Sequence, residues 1–199
     1  MEEEKKETTN NNETKKDDGS LKLVLLGDSV CGKTTLIHTF IKKEYPETYE
    51  PTVSEQESGN ITIQKKKFKL SIWDTAGNSD YARLRPLAYP KTHSCILFYA
   101  IDNRESFDHV NDFYEEYRES EPETEVILVG THVERRGKEE EGEYITKEEG
   151  EEKQEEIGAS YFMEISTKSE KDARLVIENA VRAGLPEDYF STGCCCTIM

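Results

Sequence analysis

Eight residues, Gly27-Asp28-Ser29-Val30-Cys31-Gly32-Lys33-Thr34, constrain this chain more than any other feature, because they fit the pattern GxxxxGK[ST]. Glycines let such a loop curl until its backbone N–H groups face inward, and a helix starting at its end adds positive potential. Lys33 adds a full charge suited to β- and γ-phosphates, and the Thr34 hydroxyl suits Mg²⁺. The alternative is a glycine-containing strand–helix turn with an incidental lysine. The flanks argue against it. LKLVLLG (21–27) reads as a strand buried on both faces, and KTTLIHTFIKKE (33–44) puts Leu36, Ile37, Phe40 and Ile41 on one side of a helix. Cys31, inside the loop, reads as a small packed hydrophobe rather than a redox switch.

The rest of the chain alternates in the same way. KFKLSIWD (67–74), SCILFYAI (94–101), EVILVG (125–130) and YFMEI (161–165) are strand-like. Between them, 104–119 carries Phe107, Val110, Phe113, Tyr114 and Tyr117 at helical spacing, and 171–183 carries Ala173, Val176, Ile177, Ala180 and Val181. Such alternation predicts an α/β fold with a largely parallel sheet covered by helices. ITIQKKKFKLSIW suggests one hairpin, hence one antiparallel strand. Residues 1–20 are polar and free of aromatics, so they read as a disordered acidic tail. The domain spans 21–184, and after Gly184-Leu185-Pro186 a flexible tail, 185–199, is expected.

Composition excludes several function classes. The 42 acidic against 26 basic residues give a net charge of −16, the opposite of what a nucleic-acid partner requires. The acid is regional: residues 105–125 hold nine acidic and one basic side chain, and 134–156 hold eleven and five, which reads as solvated faces. No apolar run approaches the ~20 residues of a membrane-spanning helix. The first residues lack the apolar core of a secretory signal, so a reducing cytosolic location is expected. The sequon Asn60-Ile61-Thr62 is then without consequence. Cys31 and Cys95 are isolated, and Cys194, Cys195 and Cys196 are adjacent, which suits neither a disulfide framework nor a zinc site.

Two further elements complete a nucleotide switch. Trp73-Asp74-Thr75-Ala76-Gly77 closes a strand with an Asp able to hold Mg²⁺ and a Gly whose N–H can reach a γ-phosphate. Pro51-Thr52 follows Thr34 by eighteen residues, and the Thr52 hydroxyl can complete the metal shell. Each is weak alone; ordered behind the phosphate loop they reinforce one another. At this point the chain resembles a Ras-superfamily small GTPase of the Rho family. WDTAGNSDYARLRPLAYP (73–90) is similar to that family's switch II, TYEPTV (48–53) to its switch I, and LVGT (128–131) to its approach to the guanine loop. A phosphate-loop ATPase or kinase would share residues 27–34 but not these.

The resemblance implies the P-loop small GTPase fold: five parallel strands and one antiparallel, with helices on both faces. It implies GTP/GDP and Mg²⁺ as ligands. Ser29, Val30, Cys31, Gly32, Lys33, Thr34 and Thr35 would hold phosphates, and Thr34, Thr52 and Asp74 the metal. Tyr45 would lie against guanine and Tyr49 over the phosphates. Thr131, His132 and Glu134, with Ser166, Thr167 and Lys168, would read the base. Lys33, Gly77 and Asn78 would carry the hydrolysis. The implied partners are exchange factors, GAPs (one supplying an arginine finger), GDI and effectors, with an output to the actin cytoskeleton.

Several positions depart from the family pattern. Asn78 stands where members carry Gln, shortening the reach toward the attacking water by about 1.5 Å, one C–C bond. A misplacement of ~1 Å can cost ~10²-fold, so slow hydrolysis is expected. Thr131-His132-Val133-Glu134 replaces [NT]KxD, and Ser166-Thr167-Lys168 carries a bulkier residue than the usual Ala. Weaker guanine binding and faster exchange are expected, since each imperfect buried hydrogen bond costs about 1–3 kcal/mol. Ser29 stands where Gly is frequent, and Ser54 where an effector-loop Phe is usual. The stretch 135–158 is shorter than the Rho insert, and RRGKEEEGEY is expected to form a short loop or a single helical turn.

Cys196-Thr197-Ile198-Met199 fits a prenylation box, the final Met favouring farnesyl. One prenyl chain anchors only marginally. No Lys or Arg follows Arg182, so Cys194 and Cys195 are the candidates for a second, palmitoyl anchor. The expected location is the cytoplasmic face of the plasma membrane or an endomembrane.

Overall fold

The computed structural model describes residues 20–44, 52, 54–137, 144–186 and 189–190. Its strands are β1 (Ser20–Gly27), β2 (Ser54–Ile63), β3 (Lys66–Thr75), β4 (Ser94–Ala100), β5 (Glu125–Thr131) and β6 (Tyr161–Glu164); its helices are α1 (Lys33–Ile41), α2 (Arg104–Asp108), α3 (Val110–Ser120), α4 (Lys147–Ile157) and α5 (Glu170–Ala183). The six strands form one sheet in the order β2-β3-β1-β4-β5-β6. β1 pairs in parallel with β3 and β4, β4 with β5, and β5 with β6, while β2 runs antiparallel to β3. This is the expected architecture.

The apolar runs of β1, β4 and β5 are continuous because both faces are covered. Leu23 and Leu25 face a layer built with Leu36 and Ile37 of α1 and with Ala173, Val176, Ile177, Ala180 and Val181 of α5. Val24 and Leu26 face the other layer, with Phe107, Val110, Phe113, Tyr117 and Ile157. The α5 positions follow the i, i+3, i+4, i+7, i+8 stripe of a helix with one buried face.

Three segments differ from the sequence reading. The single helix expected over 104–119 is two. Asn103 caps α2 by accepting from the Ser106 N–H at 3.1 Å, and His109 ends α2 and opens α3. The break leaves no trace in the apolar spacing, because Phe107, Val110, Phe113 and Tyr117 still share one layer.

The second segment, α4, is absent from the apolar pattern, since its sequence KEEGEEKQEEI buries only Gly150 and Ile157. It is started instead by a capping box between Thr146 and Glu149. Gly150 allows its close approach: a Cβ there would lie 2.3 Å from the Phe162 ring.

The third is the chain beyond residue 184. Leu185 and Phe190 pack on the α1–α5 layer, and Tyr189 and Phe190 have ring centroids 5.9 and 6.1 Å from that of Phe68. The packed part therefore outlasts the expected boundary. Of the short segment 135–144, one turn of 3-10 helix, Val133–Arg135, overlaps its start, and 138–143 lie outside the described residues.

Candidate nucleotide and metal site

The loops that follow β1, β3, β5 and β6 meet at the ends of the parallel strands, where open α/β sheets bind ligands. Lys33, buried in the first turn of α1, donates to the carbonyls of Gly27 at 2.6 Å and Asp28 at 2.7 Å. Both acceptors are neutral carbonyls, and burial lowers the Lys33 pKa, with Asp74 and Asp28 opposing. Gly32 caps α1 in the left-handed region (φ 81°) and lies so near Thr167 that a Cβ would sit 2.8 Å from the Thr167 methyl. Val30 adopts φ 60° and is exposed. A β-branched residue in that region is strained. Ser29 and Thr35 are half-buried at the two ends of the curl. Cys31 is buried and its thiol is pushed up to about 11 by burial, consistent with packing rather than reactivity.

The three residues expected at the metal come together. The Thr34 hydroxyl donates to Asp74 Oδ2 at 2.5 Å and lies 3.0 Å from the Thr52 hydroxyl. Asp74 is buried, and its Oδ1 has no hydrogen-bond partner. Burial raises its pKa, the Thr34 hydrogen bond and Lys33 opposing. An orphaned buried carboxylate oxygen beside two hydroxyls is an all-oxygen donor set of the kind Mg²⁺ takes. The residues present therefore fit that ion, which Thr34, Thr52 and Asp74 would hold.

Gly77 is required by steric contact. A Cβ there would stand 2.2 Å from Ser29 N, 2.3 Å from Asp28 C and 2.7 Å from Gly27 O, so its backbone lies directly on the phosphate loop. Asn78 follows, exposed and turned onto its own chain. Its Oδ1 accepts from the Asp80 N–H at 2.9 Å and its Nδ2 donates to Asp80 Oδ2 at 3.3 Å, capping the single turn Ser79–Tyr81. Asn is a preferred cap residue.

At the loop expected to read the base, Glu134 has an Oε2 that is buried and unpartnered, an acceptor of the kind guanine N1–H and N2–H₂ would need. His132 adopts φ 65° and its Nδ1 lies 3.0 Å from Asp102 Oδ1, while Arg135 also pairs with Asp102. Burial raises the Asp102 pKa, but hydrogen bonds from His132 and Arg135 outweigh it and hold the carboxyl below its usual range. The buried Thr131 hydroxyl donates to the Tyr99 carbonyl at 3.1 Å. The Ser166 N–H donates to Asp172 at 3.2 Å, and the Ser166 hydroxyl accepts from the Lys168 N–H at 3.4 Å. The Thr167 carbonyl accepts from the Thr39 hydroxyl at 2.8 Å, tying this loop to α1. Tyr45, Tyr49 and the cysteines 194–196 lie outside the described residues.

Two connections have no counterpart in the sequence reading. Arg85, buried at 7% exposure, pairs with Glu116 of α3 through Nε at 3.0 Å and Nη2 at 2.5 Å; its Nη1 donates to the carbonyls of Ala76 and Asn78. Tyr89 donates to the same Glu116. His109 Nδ1 lies 2.7 Å from Asp28 Oδ2, linking α3 to the phosphate loop. No local pattern relates residues so far apart in the chain; Arg85 lies within the 73–90 stretch, which pointed to the family but to no role for this residue.

The model of the Ras family matches residues 22–185. "Ras-like GTP-binding protein RhoL" of Drosophila melanogaster is 39% identical over 164 residues, covering 82% of this chain and 86% of that protein. A GxxxxGK[ST] loop with a buried lysine, the oxygen cluster of Thr34, Thr52 and Asp74, and an unpartnered Glu134 oxygen agree with both matches. This chain belongs to the Ras family of small GTPases.

Proposed function

We propose that this protein is a Rho-type molecular switch, active with GTP and inactive with GDP, hydrolysing GTP slowly. The observation that carries the proposal is the cradle of Thr34, Thr52 and Asp74 with its orphaned Asp74 oxygen. A bound Mg²⁺ would neutralise charge on the phosphate oxygens. Lys33 supplies a preorganised positive charge, and the backbone of Gly77, pressed on the loop, closes the other side. Glu134 supports guanine as the base.

The slow rate rests on Asn78. Its amide is one methylene shorter than Gln and is already occupied by Asp80. That occupation also favours a second reading, a GTP-bound scaffold that does not cycle. In both readings Cys196-Thr197-Ile198-Met199 takes a farnesyl group and Cys194 or Cys195 a palmitoyl group, holding the protein on a cytoplasmic membrane face. GAPs, exchange factors, GDI and effectors that act toward actin are the partners proposed.

One purified sample tests this. Its bound nucleotide is identified, and a single-turnover GTP assay follows. GDP with a rate below the ~10⁻⁴ s⁻¹ scale of Ras-like proteins supports the slow switch. Persistent GTP supports the scaffold, an ordinary Ras-like rate refutes both, and recovery of adenine nucleotide removes the proposal altogether.

A further inference from the structure

The charge on this protein is uneven across the sheet, although β2 itself opens with Glu55 and Glu57. The two acidic stretches, 105–125 and 134–156, contain α3 and most of α4, which connect β4, β5 and β6. The opposite edge is β2 and β3. From Ser58 to Trp73 that hairpin holds four lysines, Lys65, Lys66, Lys67 and Lys69, and no acid. All four are exposed. Lys67 pairs across from Thr62 and Lys69 from Asn60, both exposed as well, so this face of the hairpin is polar and uncovered. Arg174 of α5 joins the corner by donating to the Thr62 carbonyl at 2.7 Å.

The other face of the same turn holds the end of the described chain. Lys66 Nζ donates to the Tyr189 carbonyl at 2.9 Å and sits 4.2 Å from the Tyr189 ring centroid, and Arg182 lies 4.7 Å over Phe190. With Phe68 these contacts clasp Tyr189 and Phe190 to the hairpin. Cys196 is six residues beyond Phe190. Six residues at no more than ~3.5 Å each span at most about 21 Å, so the chain between the clasp and Cys196 is short. The residues that follow the clasp carry no Lys or Arg. Glu187 and Asp188 precede Tyr189 in sequence, and the five basic residues of the corner still exceed them.

We propose that the uncovered lysine face of the β2–β3 hairpin is a membrane contact that takes anionic lipid headgroups, and that the aromatic clasp directs it toward the bilayer holding the C-terminal lipid. The inference builds on the lipid-anchor reading above. It supplies from the folded domain the basic charge that the tail lacks, and it orients the acidic edge away from an anionic surface. Polybasic segments close to such a surface gain attraction with each Lys and lose it with salt.

The test uses the full chain carrying farnesyl at Cys196, confirmed by intact mass, on phosphatidylcholine vesicles with and without about a third phosphatidylserine. The variant is Lys65→Gln/Lys67→Gln/Lys69→Gln, which leaves Lys66 in its clasp and exchanges only exposed side chains; its melting temperature should match the parent. The parent should prefer anionic vesicles, and the variant should lose roughly 100- to 200-fold of that affinity at low salt while binding neutral vesicles unchanged. Anionic binding within twofold of the parent overturns the proposal and leaves the lysines to an acidic polypeptide. If the anchor reading fails instead, cellular protein shows no lipid by mass, yet the lysine-dependent preference of the farnesylated protein stands.

Discussion

Replacing Gly77 by Ala tests whether the phosphate loop and the segment after β3 are held in direct backbone contact. The built Cβ is 2.2 Å from Ser29 N and 2.3 Å from Asp28 C. Ordinary contact begins near 3.4 Å, so the two segments must separate by about 1.2 Å. Neither neighbour is the tip of a flexible side chain, so the backbone itself has to move. Overpacking of this kind costs about 1–3 kcal/mol, a fall of roughly 2–12 °C in Tm for a domain of this size. A ~1 Å displacement beside the phosphates also predicts ~10²-fold weaker performance of the site. The assays are thermal unfolding and release of a fluorescent guanine nucleotide. Gly137→Ala is the control, since it is left-handed (φ 77°) but has nothing within 4 Å of its built Cβ. It should lose stability through strain alone and leave nucleotide release unchanged. Parental melting and release in Gly77→Ala would refute the close-contact argument.

Other substitutions probe separate parts of the site. Val30→Gly removes a β-branched residue from φ 60°; relief of strain less the added chain entropy should stabilise the protein by about 1 kcal/mol in urea unfolding. Glu116→Gln leaves the buried Arg85 guanidinium without its counter-charge, and a loss of about 3 kcal/mol is expected, with faster amide exchange over residues 76–81. Asp102 has its pKa depressed by His132 and Arg135. Its contribution is therefore present above its ordinary value near 4 and disappears as pH falls through the lower folded value. The stability difference between the parent and Asp102→Asn should be about 1–2 kcal/mol at pH 7 and shrink toward pH 3. Asn78→Gln gives up the cap on Ser79–Tyr81 but regains a methylene of reach. It should raise single-turnover GTP hydrolysis severalfold or more, and an unchanged rate would show that the cap does not limit the reaction.

Much of the fold was legible because its signals are local. The strands β1, β4 and β5 advertise themselves as unbroken apolar runs, and the hairpin by its lysine turn. The phosphate loop is contiguous, so the chemistry of Lys33 and Thr34 could be read directly. What stayed hidden has no local period. α4 is mostly Glu and is defined by a cap and by Gly150 against Phe162. The α2–α3 break at His109 keeps the apolar stripe intact. The side chain of Asn78 has a use, capping its own turn, that its motif position does not reveal.

The sequence alone determined the family, the α/β architecture and the residue types expected at the phosphates, because motif, flanking periodicity and order along the chain are all one-dimensional. Tertiary structure alone decided which of those groups are already spoken for and which are not. Asp74 and Glu134 each keep an oxygen without a partner, whereas Asn78, Thr131 and His132 have theirs. It also brought Arg85 to Glu116 and seated Tyr189 and Phe190 beside the lysine turn. Partnering of this kind depends on burial and on contacts between distant segments, and those exist only once the sheet has brought its strands together.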